Sequence, residues 1–339
     1  GFSDGTKDGG YLKANWSIFK TKENLSIVCK KHKIKAIFFD GRGGPPARGG
    51  GKTHRFYAAQ TKTIANNEIQ LTIQGQTITS TYGTKEQFMH NCEQLLTAGL
   101  SNNLFGKENK ISKEFRKLVE ELSEQSFDKY DALKQHDKFM SYLEDKSTLR
   151  FYTKANIGSR PGKRGHKKKL ELSDLRAISF VGSWSQLKQN VPGYFGLGTA
   201  IKTLKDEGRL KEIKKMYKQV PFFRALMLNS MMSLAKCYFE LTSYMKQDET
   251  YAEFWTILYE EYLLSKEMLL LISGSKILME KEPISRESVK IREDIVLPLL
   301  IIQQYALQKI GQNTEHKELY EKIVTRSLYG NINDSRNSA

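Results

Sequence analysis

Apolar residues recur at helical spacing along most of the chain, and most regularly in its second half. Near the start, Tyr11–His32 has this periodicity, and Ile111–Asp145 repeats it with many charged residues between the apolar ones. Beyond Gly198 the pattern predicts almost continuous helix, in the segments Leu210–Lys218, Phe222–Met245, Tyr251–Ser273, Arg286–Ile310 and His316–Leu328. The leucine, methionine and aromatic residues of these helices are predicted to form the core.

Short segments in the first 200 residues have the apolar or alternating character of strands. Ile34–Phe39 and Leu175–Val181 are predicted to be strands, whereas Glu68–Ile78 alternates loosely and fits a short strand or a turn region. Together with the helices, these segments predict an α/β protein that is predominantly α. We expect two parts: residues 1–200, which mix strands, helices and loops, and residues 201–339, which are helical.

A glycine-rich loop directly follows the first predicted strand. Residues 41–54 read GRGGPPARGGGKTH, with Arg42 and Arg48 six positions apart among six glycines. Glycine lets the backbone adopt positive φ and approach a ligand closely, and arginine presents a planar fork of donors that matches carboxylate and phosphate oxygens. The pattern predicts a loop that closes over a small, highly anionic ligand. The alternative is a disordered glycine-rich linker, although linkers rarely follow an apolar strand so closely.

The end of this loop also resembles a nucleotide-binding P-loop, because Gly51-Lys52-Thr53 follows a strand and a glycine-rich turn. The P-loop pattern requires a glycine five residues before Gly51, and Pro46 occupies that position. The two prolines of the loop also remove backbone donors that would bind phosphate. We therefore do not expect nucleotide hydrolysis.

Composition and charge narrow the class of protein further. The 339 residues carry a net charge of +16 and three scattered cysteines, which favours a reducing, cytoplasmic compartment over a disulfide framework. The densest basic run, Lys163–Lys169, has no interleaved aromatic residues that could stack on bases, so we expect a solvated loop and no nucleic-acid partner. No apolar stretch reaches the roughly 18 residues of a membrane span, so we expect no membrane partner.

Five segments in order along the chain resemble one family. GFSDGTKDGG, FFDGRGGPPARGGGKTH, NIGSRPGKR, LRAISFVGSWSQ and VPGYFGLGTA are similar to the C-terminal part of bacterial-type phosphoenolpyruvate carboxylase, over nearly the whole chain. The resemblance implies a (β/α)₈ barrel elaborated with many extra helices, of which residues 1–200 supply the last strands and catalytic loops. It also implies carboxylation of phosphoenolpyruvate by bicarbonate, which gives oxaloacetate and phosphate with Mg²⁺ or Mn²⁺.

The resemblance assigns roles to individual residues. Asp4 is expected to ligate the metal ion and Lys7 to lie near bicarbonate. The oxygens of phosphate, carboxyphosphate and the enolate are expected to be held by four arginines, namely Arg42, Arg48, Arg160 and Arg176. From the sequence alone, a surface ion pair is the ordinary alternative for each of these arginines.

The resemblance further implies feedback inhibition by aspartate or malate and a homotetramer at full length. The expected effector residues are Lys236, Arg292 and Asn337, with Arg48 shared between the effector and the catalytic site. An effector that captured Arg48 would withdraw the catalytic loop. From the sequence alone, Lys236 and Arg292 are better explained as helix residues that extend their charged ends into solvent, and only the resemblance suggests an effector role.

The chain departs from the family pattern at three places. Asp40 replaces the usual histidine before the first arginine of the loop, Pro45-Pro46-Ala47 replaces more flexible residues, and Gln76 replaces a glutamate. A carboxylate beside an anionic substrate is unfavourable, so Asp40 either turns away to pair with an arginine such as Arg42 or weakens substrate binding, and we expect the pairing.

The resemblance places an essential histidine, a second metal carboxylate and most barrel strands upstream of Gly1. We therefore expect a C-terminal fragment that has no carboxylase activity alone. A non-catalytic regulatory module that binds dicarboxylates is the main alternative function.

Overall fold

The computed structural model of the chain describes residues 1–64, 68–73, 76–104, 111–154, 170–312 and 315–336. Within these ranges the protein is predominantly helical. The helices are α1 (Phe2–Lys31), α2 (Thr53–Ala58), α3 (Gln76–Tyr82), α4 (Lys85–Leu104), α5 (Lys113–Gln135), α6 (Phe139–Lys146), α7 (Leu149–Lys154), α8 (Ala177–Gln186), α9 (Leu197–Asp206), α10 (Leu210–Gln219), α11 (Pro221–Ala235), α12 (Ala252–Ser273), α13 (Pro283–Gly311) and α14 (Lys317–Arg336).

The helices predicted from periodicity are confirmed, with shifted ends. Helix α1 begins nine residues before the predicted Tyr11, and its two halves meet at a kink at Gly10, whose φ is +74°. A side chain at Gly10 would also press on the ring of Tyr130 in α5. The predicted helix Phe222–Met245 ends at Ala235 and continues after a break as a 3₁₀ segment, Phe239–Gln247.

The strand content is smaller than predicted. Strands β1 (Phe38–Asp40) and β2 (Ile69–Leu71) form a parallel pair in the described residues, with Phe38 opposite Ile69. The strand predicted over Ile34–Phe39 is therefore short, because β2 offers only three residues to pair with. The region predicted as strand or turn from Glu68 contains β2 and then, from Gln76, helix α3.

The prediction of a strand over Leu175–Val181 is wrong, because α8 begins at Ala177. A short apolar run cannot by itself distinguish a strand from a helix. The deciding positions are Ala177, Phe180, Val181 and Trp184, which are buried and recur at intervals of three and four residues, as one face of a helix does. Trp184 lies beyond the predicted segment, so the strand interpretation did not include it.

One large apolar cluster joins the helices to the loops after β1. It contains the fully buried rings of Trp16, Trp184 and Trp255, from α1, α8 and α12. Because α1 contacts α5, α8 and α11, its first turns lie at the centre of the molecule. This central position brings the N-terminal residues of the chain next to the glycine loop.

Candidate functional site: an anchored arginine loop

The glycine loop, residues 41–51, folds into a compact turn. Its middle forms a 3₁₀ segment, Pro46–Arg48, and its ends are joined by a hydrogen bond of 2.9 Å from the Gly51 N–H to the Gly44 carbonyl. Gly49 and Gly51 have φ values of +76° and +110°, in the region where glycine alone is unstrained. The glycines therefore adopt the positive φ expected of them and permit the tight turn of the chain.

Hydrogen bonds anchor this loop to two helices. The Ser3 hydroxyl of α1 donates to the Arg48 carbonyl at 3.0 Å, and the Tyr11 hydroxyl donates to the Gly50 carbonyl at 3.3 Å. The Asn229 amide of α11 donates in turn to the Tyr11 hydroxyl at 2.7 Å. Burial raises the pKa of Tyr11 to about 12, so the phenol remains a donor at neutral pH. These contacts contradict the alternative of a disordered linker.

Arg42 is the most enclosed charge of the loop, with 6% of the residue exposed. Its guanidinium stacks on Phe56, 3.9 Å from the ring centre, and lies 5.6 Å from the ring centre of Phe2. One terminal nitrogen donates to the Gly50 carbonyl at 3.0 Å. The Nε and Nη1 atoms are buried and make no hydrogen bond to any described residue. Buried donors are ordinarily satisfied, so this pair is suited to receive the oxygens of an anion.

Asp40 turns away from the loop, as predicted, but the predicted arginine partner is wrong. Its carboxylate lies 2.8 Å from the Nζ of Lys22, a buried residue of α1, and accepts a hydrogen bond of 2.7 Å from the Tyr57 hydroxyl. Burial and the neighbouring carboxylate raise the pKa of Tyr57 above its usual value, so the phenol stays protonated. The sequence could not identify Lys22, because the helix face that meets β1 is set by tertiary packing.

A short segment, Leu172–Asp174, connects the surroundings of Lys7 with Arg176. The Lys7 side chain is buried, pairs with Asp8 at 2.5 Å and lies 3.4 Å from the Leu172 carbonyl. Leu172 opens a 3₁₀ turn that leads into α8, where the half-buried Arg176 forms the N-cap. Helix α8 also contacts the turn that carries Arg48. The fold therefore gathers the elements that bear Lys7, Arg48 and Arg176.

Some predicted residues lie outside the described part of the chain. Arg160, with the loop predicted over Asn156–Pro161, and Asn337 are among them. Their predicted roles in oxyanion and effector binding remain predictions.

The predicted metal ligand, Asp4, lies in the first turn of α1 and is exposed. In the described residues no group of three or more histidine, cysteine, aspartate or glutamate side chains is arranged to hold a metal ion. Magnesium is often held by one or two carboxylates, with water and substrate oxygens completing the shell. The arrangement thus fits the contribution of one carboxylate ligand rather than a complete metal centre.

Two of the expected effector residues, Lys236 and Arg292, lie near each other in a second cationic cluster. Lys236 is the C-cap of α11, and its carbonyl accepts a hydrogen bond of 3.1 Å from the Asn190 amide. Desolvation, with the charges of Lys188 and Arg292, lowers the pKa of Lys236 to about 7. Lys188 is itself buried and pairs with Glu293 at 3.2 Å. Lys188 is thus a third cation beside Lys236 and Arg292, whose effector role remains a prediction.

A buried carboxylate links the end of the glycine loop to helix α13. Glu282 is 8% exposed, lies 2.6 Å from the Nζ of Lys52 and also pairs with Arg55. It immediately precedes α13, the helix that carries Arg292. The end of the loop that bears Arg42 and Arg48 is therefore attached to the start of the helix that bears Arg292.

Sequence reasoning missed several residues of the two clusters, namely Lys22, Tyr57, Lys188, Asn229 and Glu282. None of them lies in a spacing pattern with a chemical meaning. Lys188 has one distinctive feature, a left-handed φ of +55°. A single lysine in the sequence does not predict this backbone conformation, which is uncommon for residues other than glycine. Only the folded chain places these residues beside the motifs.

The fold and the loop define a helix-rich protein with a buried arginine in an anchored glycine loop. A model of the family described as phosphoenolpyruvate carboxylase matches residues 1–334. The chain is 33% identical over 337 residues to phosphoenolpyruvate carboxylase of Corynebacterium glutamicum, covering 95% of the chain and 36% of that protein. Similar values hold for the enzymes named phosphoenolpyruvate carboxylase of Corynebacterium diphtheriae, at 32% identity with 100% and 38% coverage, and Thermosynechococcus vestitus, at 30% with 97% and 33%.

The chain belongs to the phosphoenolpyruvate carboxylase family. It spans about a third of the length of the curated relatives that it matches. Among the described helices, none combines the length and the apolarity that crossing a membrane requires.

Proposed function

We propose that the chain supplies the arginine loop of an enzyme that joins phosphoenolpyruvate to bicarbonate, giving oxaloacetate and inorganic phosphate. The observation that carries the proposal is Arg42, a buried guanidinium with two donors that no described residue satisfies. The substrates and products of this reaction, and nearly all of its intermediates, are anionic. Fixed donors at a desolvated site stabilise such charge strongly as it develops.

The proposed roles follow the elements that the fold gathers. Arg42, Arg48 and Arg176 would hold oxygens of phosphoenolpyruvate, carboxyphosphate and the enolate, together with Arg160. Lys7 would hold bicarbonate, because its buried ammonium lies beside the segment that leads to Arg176. The aromatic rings around Arg42 exclude water and fix the plane of its guanidinium.

A divalent metal ion, Mg²⁺ or Mn²⁺, is part of this proposal. Asp4 would provide one carboxylate ligand from the first turn of α1. The ion would neutralise negative charge on the reacting oxygens when bound. The remaining steps that the described residues perform are orientation of the anions and exclusion of water.

The wider architecture is also proposed. Residues 1–200 would complete a (β/α)₈ barrel with its last strands and loops, and the parallel pairing of β1 with β2 is of the kind such a barrel requires. The loop with the arginines follows the carboxyl end of β1, where barrel active sites lie. Residues 201–339 would carry an inhibitory site for aspartate or malate, in a cytoplasmic homotetramer.

The activity is tested in a chimera, because we propose that residues 1–339 alone form no oxaloacetate. The chain replaces the matching segment of the Corynebacterium glutamicum enzyme, and oxaloacetate formation from phosphoenolpyruvate and bicarbonate is followed with Mg²⁺. We expect an active chimera whose Arg48→Ala variant is inactive. A folded chimera that neither turns over nor binds phosphoenolpyruvate would contradict the proposed function. Activity of residues 1–339 by themselves, lost in Arg48→Ala, would contradict the fragment interpretation.

The second candidate function is a regulatory module that binds dicarboxylates without chemistry. It is favoured by the cluster of Lys188, Lys236 and Arg292, which holds three cations close together with Glu293. Calorimetric titration of the chain with aspartate and with malate tests it. Binding in an inactive chimera supports the module, whereas binding in an active one supports the inhibitory site.

A further inference from the structure

The buried ion pair between Lys22 and Asp40 lies directly beside the anion site. Asp40, Lys22 and Arg42 are all buried, at 4%, 4% and 6% exposure. The three groups interact electrostatically. Asp40 raises the pKa of both cations against the effect of burial, and the charge of Arg42 lowers the pKa of Lys22. Phe56 joins the cations as well, with its ring centre 3.9 Å from the Arg42 guanidinium and 5.9 Å from the Lys22 ammonium.

Without Lys22, Asp40 would be a buried carboxylate with only the Tyr57 hydroxyl as a described partner. A buried carboxylate requires a cation or several hydrogen bonds to remain charged. Arg42 is two residues away along the chain and has two donors that no described residue satisfies. An ion pair between Asp40 and Arg42 would use those donors, and the loss of Lys22 itself would reduce the net charge of the three groups from +1 to zero.

We propose that Lys22 is a positioning residue of the anion site. By holding Asp40 in a buried pair, it keeps that carboxylate from Arg42 and leaves the guanidinium to the ligand. The inference rests on the proposed function, in which Arg42 binds oxygens of phosphoenolpyruvate. It explains how a carboxylate is tolerated at the start of a loop that binds anions: the compensating charge comes from α1, eighteen residues earlier in the chain.

The test uses four variants, namely Lys22→Met, Lys22→Arg, Asp40→Asn and the double variant Lys22→Met/Asp40→Asn. Affinity for phosphoenolpyruvate and for inorganic phosphate is measured by calorimetry, and near-ultraviolet circular dichroism checks folding. We expect Lys22→Met to weaken binding of both anions about tenfold or more, since one nearby unit charge is lost and Asp40 is released. Lys22→Arg and Asp40→Asn should bind at least as well as the wild type, within about threefold.

The double variant is compared with Asp40→Asn, from which it differs only at Lys22: similar affinities indicate positioning through Asp40, whereas a loss of about tenfold indicates a simple loss of positive charge. If Lys22 acts through Asp40, removing both restores the affinity to within about threefold of the wild type. A double variant as weak as Lys22→Met overturns the inference, as does a folded Lys22→Met that binds normally. Should Lys22→Met fail to fold, the comparison of the double variant with Asp40→Asn still decides: similar phosphate affinities support the inference, and a loss of about tenfold overturns it.

The outcomes also separate this inference from the proposed function. Phosphate binding that depends on Lys22, in a chimera that makes no oxaloacetate, contradicts the carboxylase proposal and supports the positioning role. An active chimera whose Michaelis constant for phosphoenolpyruvate is unchanged by Lys22→Met contradicts the positioning role alone.

Discussion

The two cationic clusters of the molecule are both enclosed by the fold, but their lysines differ in what they face. The loop cluster consists of Lys22, Asp40 and Arg42. In it, Lys22 is paired with the carboxylate of Asp40, and the donors left for a ligand belong to Arg42. The effector cluster consists of Lys188, Lys236, Arg292 and Glu293. In it, Lys188 is paired with Glu293, whereas Lys236 lies near the two other cations and has no paired carboxylate among the described residues. An arginine keeps its charge at every physiological pH, whereas a buried lysine surrounded by cations does not.

This difference predicts two sites with separate ligands, of which only the effector cluster is sensitive to pH near 7. The loop cluster should bind its anion through a fixed fork of donors. The effector cluster should bind through an ammonium that is charged only when a proton or an anion favours it. Helix α11 connects the two clusters. The 3₁₀ turn Pro46–Arg48 of the loop contacts α11, and Lys236 is the C-cap of that helix.

The largest expected effect is a separation of the two ligands by mutation. Arg42→Ala removes the buried donors, and we expect its affinity for phosphoenolpyruvate to fall on the order of 100-fold, because charge-assisted hydrogen bonds are lost. Its affinity for malate should change little. Lys236→Ala should show the reverse pattern. Calorimetry with each ligand measures both, and a variant that loses both ligands while folded would show that the clusters form a single site.

The next effect tests whether the loop cluster depends on the anchored backbone. At Gly51, φ is +110° and an added Cβ would lie 2.4 Å from the Asn229 side-chain oxygen. Gly51→Ala should therefore lower the free energy of unfolding by about 2–4 kcal/mol and weaken phosphoenolpyruvate binding. Gly41→Ala is the matched control, since a Cβ there meets nothing within 4 Å. Urea unfolding compares them, and equal stabilities would mean that the loop is not held as described.

The helices and the loop were predictable from the sequence because each depends on local pattern. Periodicity identified α5, α10 and α12, and the glycines with Arg42 and Arg48 identified the loop. The partners of these residues were not predictable in the same way. Asp40 could be paired with an arginine nearby in sequence, but its partner comes from α1, because a side chain selects its contact in space and not along the chain.

The failed strand shows the same limit at the level of secondary structure. Leu175–Val181 alternates enough to suggest a strand, and only the burial of Trp184 in the same face shows the helix. The effector cluster was reached through the resemblance to a family, since Lys236 and Arg292 look like ordinary helix residues when taken alone. The third cation, Lys188, had no signal of either kind.

The third prediction concerns protons at the effector cluster. Because the pKa of Lys236 is lowered to about 7, the side chain is largely neutral at pH 8 in the free protein. A bound dicarboxylate favours the ammonium and raises that pKa, so malate binding at pH 8 should take up close to one proton. Affinity should fall as the pH rises above about 7, until the pKa of the bound state is passed.

Calorimetry in buffers of different ionisation enthalpy measures this uptake. Malate is the suitable probe because it has no group that titrates near pH 7 to 8. Lys236→Arg is the matched control: it should bind malate without taking up a proton, because arginine is already charged. Equal proton uptake in the wild type and in Lys236→Arg would assign the proton to another group.

The smallest expected effect concerns the connection between the clusters. Glu282 pairs with Lys52 and Arg55 at the end of the loop and precedes α13, which carries Arg292. Glu282→Gln should lower the free energy of unfolding by about 1–2 kcal/mol, because two partly buried cations lose their carboxylate. Glu287→Gln, at an exposed position on α13, should change it by less than about 0.5 kcal/mol.

The same variant tests whether this connection carries the proposed inhibition by malate. If malate acts on the loop through α13, Glu282→Gln should still bind each ligand alone but lose most of the mutual weakening between malate and phosphoenolpyruvate, a coupling of about tenfold. The coupling is measured by titrating phosphoenolpyruvate at zero and at saturating malate. Undiminished coupling in a folded Glu282→Gln would instead favour Arg48 as the shared element, because its turn contacts both α1 and α11.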